Sequence, residues 1–127
     1  MNRKILVGKK GESYVCEYLK QNGWSITQTN YHSRYGEIDI VAEDKNYIAF
    51  VEVKARNNFK FSHAPEIVNK SKRIKIIKTA YVYISEKNLS KQPRFDIAEV
   101  LISKEGDIKN LQYYKNSFDA EEYNAFF

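Results

Sequence analysis

The stretch from Gly36 to Arg56, GEIDIVAEDKNYIAFVEVKAR, constrains this chain more than any other. Two apolar, β-rich runs, Ile38 to Ala42 and Tyr47 to Val53, are separated by the polar link Glu43-Asp44-Lys45-Asn46. That pattern predicts an antiparallel hairpin. Side chains alternate across a strand, so Glu37, Asp39 and Val41 should share one face, and Ile48, Phe50, Glu52 and Lys54 one face of the next strand.

Register decides whether these are the same face. A two-residue loop at Lys45-Asn46 pairs Asp44 with Tyr47 and, counting back, sets Asp39 opposite Glu52 and Glu37 opposite Lys54. Directly opposite Cβ atoms lie roughly 4.5–5.5 Å apart. A shift by two keeps the groups on one face, whereas a shift by one separates them. In the first two registers Glu37, Asp39 and Glu52 meet Lys54 beside Val41, Ile48 and Phe50, with a formal charge of −3 + 1 = −2. Opposed like charges destabilise a sheet, and an unpaired, partly buried carboxylate costs several kcal/mol in order of magnitude. A divalent cation with oxygen ligands removes that penalty. The alternative is a metal-free network in which Lys54 neutralises one carboxylate while Arg34 and Arg56 meet the others.

The chain contains, in order, Gly11-Glu12, Gly36-Glu37-Ile38-Asp39, Phe50-Val51-Glu52-Val53-Lys54-Ala55-Arg56 and Arg94-Phe95-Asp96. This ordered set resembles the YraN-like family of small bacterial proteins, within the PD-(D/E)XK, or restriction-endonuclease-like, nuclease superfamily. The resemblance spans about residues 8 to 103, and Asp39 with Glu52-Val53-Lys54 carries its D…ExK signature. Ile38 stands where the superfamily's name places proline. The resemblance implies a Mg²⁺- or Mn²⁺-dependent endonuclease, a hydrolase of phosphodiester bonds. Asp39 and Glu52 would hold the ion, Glu12 would join directly or through water, and the Val53 carbonyl could contribute. Lys54 would orient the attacking water or stabilise the transition state, and Glu37 would support the site or pair with Lys54. DNA is the expected nucleic acid, with branched repair or recombination intermediates among the candidates. The competing reading is a non-catalytic nucleic-acid-binding module of the same fold.

A chain of 127 residues suits one domain with a real core. A hydrophobic content of 43% argues against disorder, and 21 Lys+Arg against 16 Asp+Glu (net +5) suits a polyanionic partner without demanding one. Cys16 is the single cysteine, which excludes an intrachain disulfide and a thiolate zinc cluster. The apolar run after Met1 is too short for a signal peptide and no later run approaches a membrane span, so a soluble, cytoplasmic protein is expected.

Residues 8–22 predict a first helix ending at Asn22-Gly23, with Val15, Cys16, Tyr18 and Leu19 as its apolar stripe. Glu12 falls on that face one turn earlier. It either completes the carboxylate site, as the resemblance implies, or simply favours the helix's first turn. Trp24–Thr29 predicts a strand, followed by a connection in which His32 and Arg34 could approach a phosphate. Asn57–Pro65 has no period and suits a flap over substrate, with His63 as a possible base.

A second helix is expected from Asn69 or Ser71 to Glu86, buried through Ile74, Ile77, Tyr81 and Ile84, with Ile76 and Ala80 beside them. Lys70, Lys72, Arg73, Lys75 and Lys78 crowd its first half, where the helix dipole disfavours cations. This is either a solvated face or a phosphate-binding one, and Lys72, with Lys70, Arg73, Lys75 and Arg56, is the candidate nucleic-acid contact. Arg94–Ser103 and Ile108–Tyr114 predict the last strands, with Arg94 and Asp96 on one face and able to pair. The expected fold is α/β (α+β): a restriction-endonuclease-like core, a mixed, mainly antiparallel sheet flanked by helices, in the order αβββαββ. Residues 1–115 would form the domain. The acidic, aromatic tail 116–127, with no Lys or Arg, would dock on the basic body, mediate a homodimer or remain disordered.

Overall fold

The computed structural model describes residues 3–57, 60–62 and 68–121. Helix α1 (Arg3–Gln21) leads into strands β1 (Ser25–Ser33), β2 (Gly36–Glu43) and β3 (Tyr47–Arg56). Helix α2 (Lys70–Lys87) follows, then β4 (Gln92–Ile102) and β5 (Ile108–Phe118). The strands form one five-stranded sheet in sequential order β1-β2-β3-β4-β5. All neighbours are antiparallel except β3 and β4. Parallel neighbours need a crossover, and α2 lies in it. The architecture is α+β with the predicted order αβββαββ.

Of the registers weighed above, the central hairpin adopts that of the two-residue loop at Lys45-Asn46. Its ladder runs Glu43–Ile48, Ala42–Ala49, Val41–Phe50 and Ile40–Val51. The link is tied by Asp44, whose Oδ1 accepts from the backbone N–H groups of Asn46 (2.9 Å) and Tyr47 (2.7 Å). That is an aspartate's usual way of closing a turn.

The two helices cover opposite faces of the sheet. Val15 and Leu19 of α1 pack on Ile40, Ala42, Val51, Ala98 and Val100. On the other face, α2 packs on Val41, Ile48, Phe50, Phe95 and Ile97. Gly11 is where α1 meets the sheet most closely: a Cβ there would stand 2.5 Å from the Ala55 Cβ. Real Cβ atoms do not approach this closely, so glycine sets the height of α1, and of Glu12 beside it, over β3. Cys16 is half-buried on this helix, and burial pushes its thiol pKa up, as suits a packing residue.

Several boundaries differ from the periodicity. Helix α1 begins at Arg3, ahead of the predicted start, and its Ile5 and Leu6 are exposed apolar side chains that form no buried stripe. The buried face of α2 is Ile76, Ile77, Thr79, Ala80 and Tyr83; Ile74 and Ile84 are half-buried and Tyr81 is exposed. The rotation has a polar cause. Thr79 Oγ1 meets Ser33 Oγ at 2.9 Å and the Tyr83 hydroxyl meets Thr27 Oγ1 at 3.3 Å, so both hydroxyls enter the interior with a partner on β1. Strand β5 continues to Phe118, which is buried against Phe95, so the first residues of the predicted tail belong to the sheet. Residues 122–127 lie outside the described residues.

Candidate functional site

The β2–β3 ladder ends at Ile40–Val51. The next residues in that register are Asp39 and Glu52, and beyond them side chains replace backbone pairing. Asp39 Oδ2 accepts the Val53 N–H at 2.7 Å. Ile38 and Ile40 share strand parity yet join opposite faces of the core, so β2 twists sharply through Asp39. Its partner on β1 is Asn30, in the left-handed region at φ 51° between the pairs Thr29–Ile40 and Tyr31–Ile38.

Glu52 is 8% exposed, at the floor of a groove of ≈ 550 Å³ between the hairpin and the start of α2. Asp39 and Glu37 line the groove from the sheet, and Lys72 and Lys75 from the helix. Burial, and next the Asp39 charge, push the Glu52 pKa up to about 8, opposed by Lys72. The two carboxyl groups are in hydrogen-bond contact, and Lys72 Nζ stands 3.0 Å from Glu52 Oε1. Glu12 approaches from α1. Burial, then the charges of Asp39 and Glu37, raise its pKa to about 7, while its Oε1 accepts from Asn30 Nδ2 at 2.6 Å.

The structure therefore brings Asp39, Glu52, Glu12 and Glu37 into one electrostatic unit. Glu37 pairs with His32 at 3.9 Å instead of with Lys54, because the strands no longer pair at that level. Lys54 is exposed one residue beyond Val53, with no ion pair to Glu37 or Glu52. In place of the metal-free alternative of Lys54, Arg34 and Arg56, the cation at Glu52 is Lys72, from another element. Arg34 stacks on Tyr35.

The basic residues separate into two groups. Lys72 and Lys75 line the groove, and Lys70 is exposed in the first turn of α2. Arg73 turns away: its Nε donates to the Val68 carbonyl at 2.8 Å and its guanidinium lies over Phe118. Arg56 faces the fully buried Glu99 at 3.3 Å, and Glu99 also accepts from the Ser62 N–H. Asn57, which donates to the carbonyls of Ile102 and Ser103, and Ser62 thus anchor the described parts of the predicted flap. His63 lies outside the described residues.

Sequence reasoning missed Asn30. Its signal was an asparagine closing a β-rich run, a residue that tolerates left-handed backbone. A larger cavity, ≈ 760 Å³, lies beside Tyr47, Arg94 and Phe118. There Arg94 is held in a bidentate pair with the fully buried Asp96 (3.0 and 2.8 Å) and stacked on Trp24 and Tyr47.

Among the described residues, no three His, Cys, Asp or Glu side chains converge into a ready-made metal shell. The donor chemistry of the pair nevertheless fits a hard cation. Asp39 and Glu52 offer oxygens in mutual contact, with Glu52 buried beside the Asp39 charge and one lysine 3.0 Å from it. Glu12 is held by Asn30 and feels the charges of Asp39 and Glu37.

The profile of the Uncharacterised protein family UPF0102 matches residues 11–100. The chain belongs to this family. A UPF0102 protein of Dictyoglomus turgidum is 39% identical over 93% of this chain and 100% of its own length. One from Acetivibrio thermocellus is 38% identical over 92% and 94%, and one from Caldanaerobacter subterraneus subsp. tengcongensis 40% over 93% and 98%. UPF0102 is the YraN family that the ordered motifs resemble. The matched span, 11–100, begins at Gly11-Glu12 and includes the whole carboxylate groove. No helix among the described residues is long and apolar enough to cross a membrane.

Proposed function

We propose that this UPF0102 member is a metal-dependent nuclease that hydrolyses phosphodiester bonds in nucleic acid, DNA foremost. The observation that carries the reading is the contact between Asp39 and Glu52 where the β2–β3 ladder ends, beneath a groove walled by Lys72 and Lys75. A carboxyl group in a groove whose pKa is raised by burial and by a neighbouring carboxylate marks a functional arrangement more often than a stabilising one. Asp39 and Glu52 would hold Mg²⁺ or Mn²⁺, with Glu12 reaching it through water. Bound there, the ion supplies an activated water and offsets charge on the phosphate.

The chain's own residues account for the rest. Lys72 and Lys75 hold backbone phosphates along the groove. Lys54, exposed on the strand that carries Glu52, orients the attacking water and stabilises the charge developing on the phosphate oxygens. The Val53 N–H fixes the Asp39 carboxylate, so one ligand is preorganised. Hydrolysis forms a phosphorus–oxygen bond to water's oxygen and breaks one ester bond, leaving a phosphomonoester and a hydroxyl end.

One observation favours the alternative, a binding module: Lys72 already stands 3.0 Å from Glu52 Oε1 and engages it without any metal. Cleavage of labelled single-stranded, duplex, flap and four-way-junction DNA with Mn²⁺ or Mg²⁺ separates the two. Metal-dependent cutting that falls at least 100-fold in both Asp39→Ala and Lys54→Ala is expected of the nuclease. Binding without cutting, unchanged by both substitutions, would establish the module.

A further inference from the structure

Among the described residues, three asparagines have left-handed backbone: Asn30, Asn88 and Asn116. Two have evident local duties. Asn88 caps α2, and the Asn116 N–H donates to the buried Asp96. Asn30 caps no helix, and its φ of 51° falls within a strand, where left-handed backbone is unfavourable even for asparagine. Its side chain explains the position. Nδ2 donates to Glu12 Oε1 at 2.6 Å and faces the Asp39 carbonyl at 3.5 Å, linking α1, β1 and β2. Because Gly11 lets α1 sit low on β3, this amide is what fixes the direction of the adjacent Glu12.

We propose that Asn30 is a positioning residue, one that aims the Glu12 carboxylate at the Asp39–Glu52 pair as the outer oxygen donor for a divalent ion. This rests on the metal-dependent reading above. An amide suits the task because it donates to Glu12 without adding charge to four neighbouring carboxyl groups. Serine would not reach, and aspartate would repel.

The test is a calorimetric titration of Mn²⁺ into wild type, Asn30→Gly, Glu12→Gln and the double variant. Glycine retains access to φ 51° and removes only the amide. Asn30→Gly should weaken Mn²⁺ binding about 10-fold, as loss of an outer-shell partner does. The double variant should bind no more weakly than Glu12→Gln alone, because the amide acts through that carboxylate. A second readout needs no Asn30 variant: the Asn30 side-chain amide protons should shift when Mg²⁺ is added to wild type and stay fixed in Glu12→Gln. Unchanged affinity in Asn30→Gly, losses that multiply in the double variant, or an amide that ignores Mg²⁺ while the ion binds would overturn the assignment. A wild type that binds neither ion would instead overturn the metal reading itself.

Discussion

The Lys72 ammonium lies 3.0 Å from Glu52 Oε1, so a groove lysine that could hold a phosphate is engaged by a carboxylate that could hold a metal. The two uses are mutually exclusive. On the proposed metal-dependent reading, a divalent ion on Glu52 would displace Lys72 electrostatically and release it to nucleic acid. Each phosphate neutralised on B-DNA steepens the dependence of log K on log salt by roughly 0.9. Wild type should therefore show a slope steeper by about one unit with Mg²⁺ than without it. Lys72→Ala should show the same slope in both conditions. Fluorescence anisotropy across a salt series, in a Lys54→Ala background that does not cut, measures this. A metal-insensitive slope in wild type would mean that Lys72 never leaves Glu52.

The raised carboxyl pKa values set how stability depends on pH. Glu52 moves from 4.5 to about 8 and Glu12 from 4.5 to about 7, so the folded protein retains protons that the unfolded chain has released. Their contribution to stability is complete below about pH 4.5 and is lost as pH rises to about 8. In EDTA the melting temperature should fall across that interval. For Glu52 the slope should reach at most about 1.4 kcal/mol per pH unit for one retained proton. Glu52→Gln should flatten it, and Mn²⁺ should raise the melting temperature most at the alkaline end, where protons no longer compete. A melting temperature that rises steadily from pH 5 to 8 in EDTA would contradict this electrostatic description.

Close approach at Gly11 yields a structural test. Alanine normally improves a helix over glycine by up to about 1 kcal/mol. Here the added methyl would collide with Ala55 Cβ at 2.5 Å, and overpacking of that kind costs about 1–3 kcal/mol. Gly11→Ala should be net destabilising in urea melts, and Ala55→Gly should recover much of the loss. Since Glu12 follows Gly11, Mn²⁺ affinity should fall in the single variant and return in the pair. Equal affinity in both variants would separate the height of α1 from the site.

Much of this could be read from the residues themselves. The polar link left several hairpin registers open, and the structure has the one with a two-residue loop at Lys45-Asn46, from Glu43–Ile48 to Ile40–Val51. Alternation then located Asp39 beside Glu52 because burial of one face fixes strand parity. Alternation failed one residue further. Ile38 leaves the face of Ile40, because Asn30 interrupts β1 across from Asp39, and a left-handed residue leaves no mark on hydrophobic periodicity. The Lys72–Glu52 pair was illegible for a different reason. It joins elements separated by a parallel crossover, and sequence spacing carries no register between them. The α2 stripe misled because Thr79 and Tyr83 are buried by hydroxyl partners on β1, a contact that hydropathy counts as exposure. Likewise Arg56 and Arg73 were candidate nucleic-acid contacts, whereas Glu99, Val68 and Phe118 hold them inward.

Asp96 belongs to a motif that the resemblance carries, yet the structure gives it a role in stability. It is fully buried and takes the Arg94 fork, the Tyr113 hydroxyl at 2.6 Å and the Asn116 N–H at 2.8 Å. Burial and then the Asp96 charge push the Tyr113 pKa far above its usual value, so that phenol donates at any physiological pH. Arg94 is meanwhile stacked on Trp24 and Tyr47, on the α1 side of the sheet. Glu52, alternating with Phe50, faces α2 on the opposite side. Removing Asp96 would leave the Arg94 charge and two donors unpaired in the interior, and breaking a buried pair costs about 3–5 kcal/mol. Asp96→Ala should therefore lose stability of that size in urea. Arg94→Met with Asp96→Leu should lose less, since both charges go together. Cleavage per folded molecule should remain within about two-fold of wild type for Asp96→Asn, against the 100-fold loss expected for Asp39→Ala. A loss in Asp96→Asn as deep as in Asp39→Ala, with stability intact, would move Asp96 from the scaffold into the chemistry.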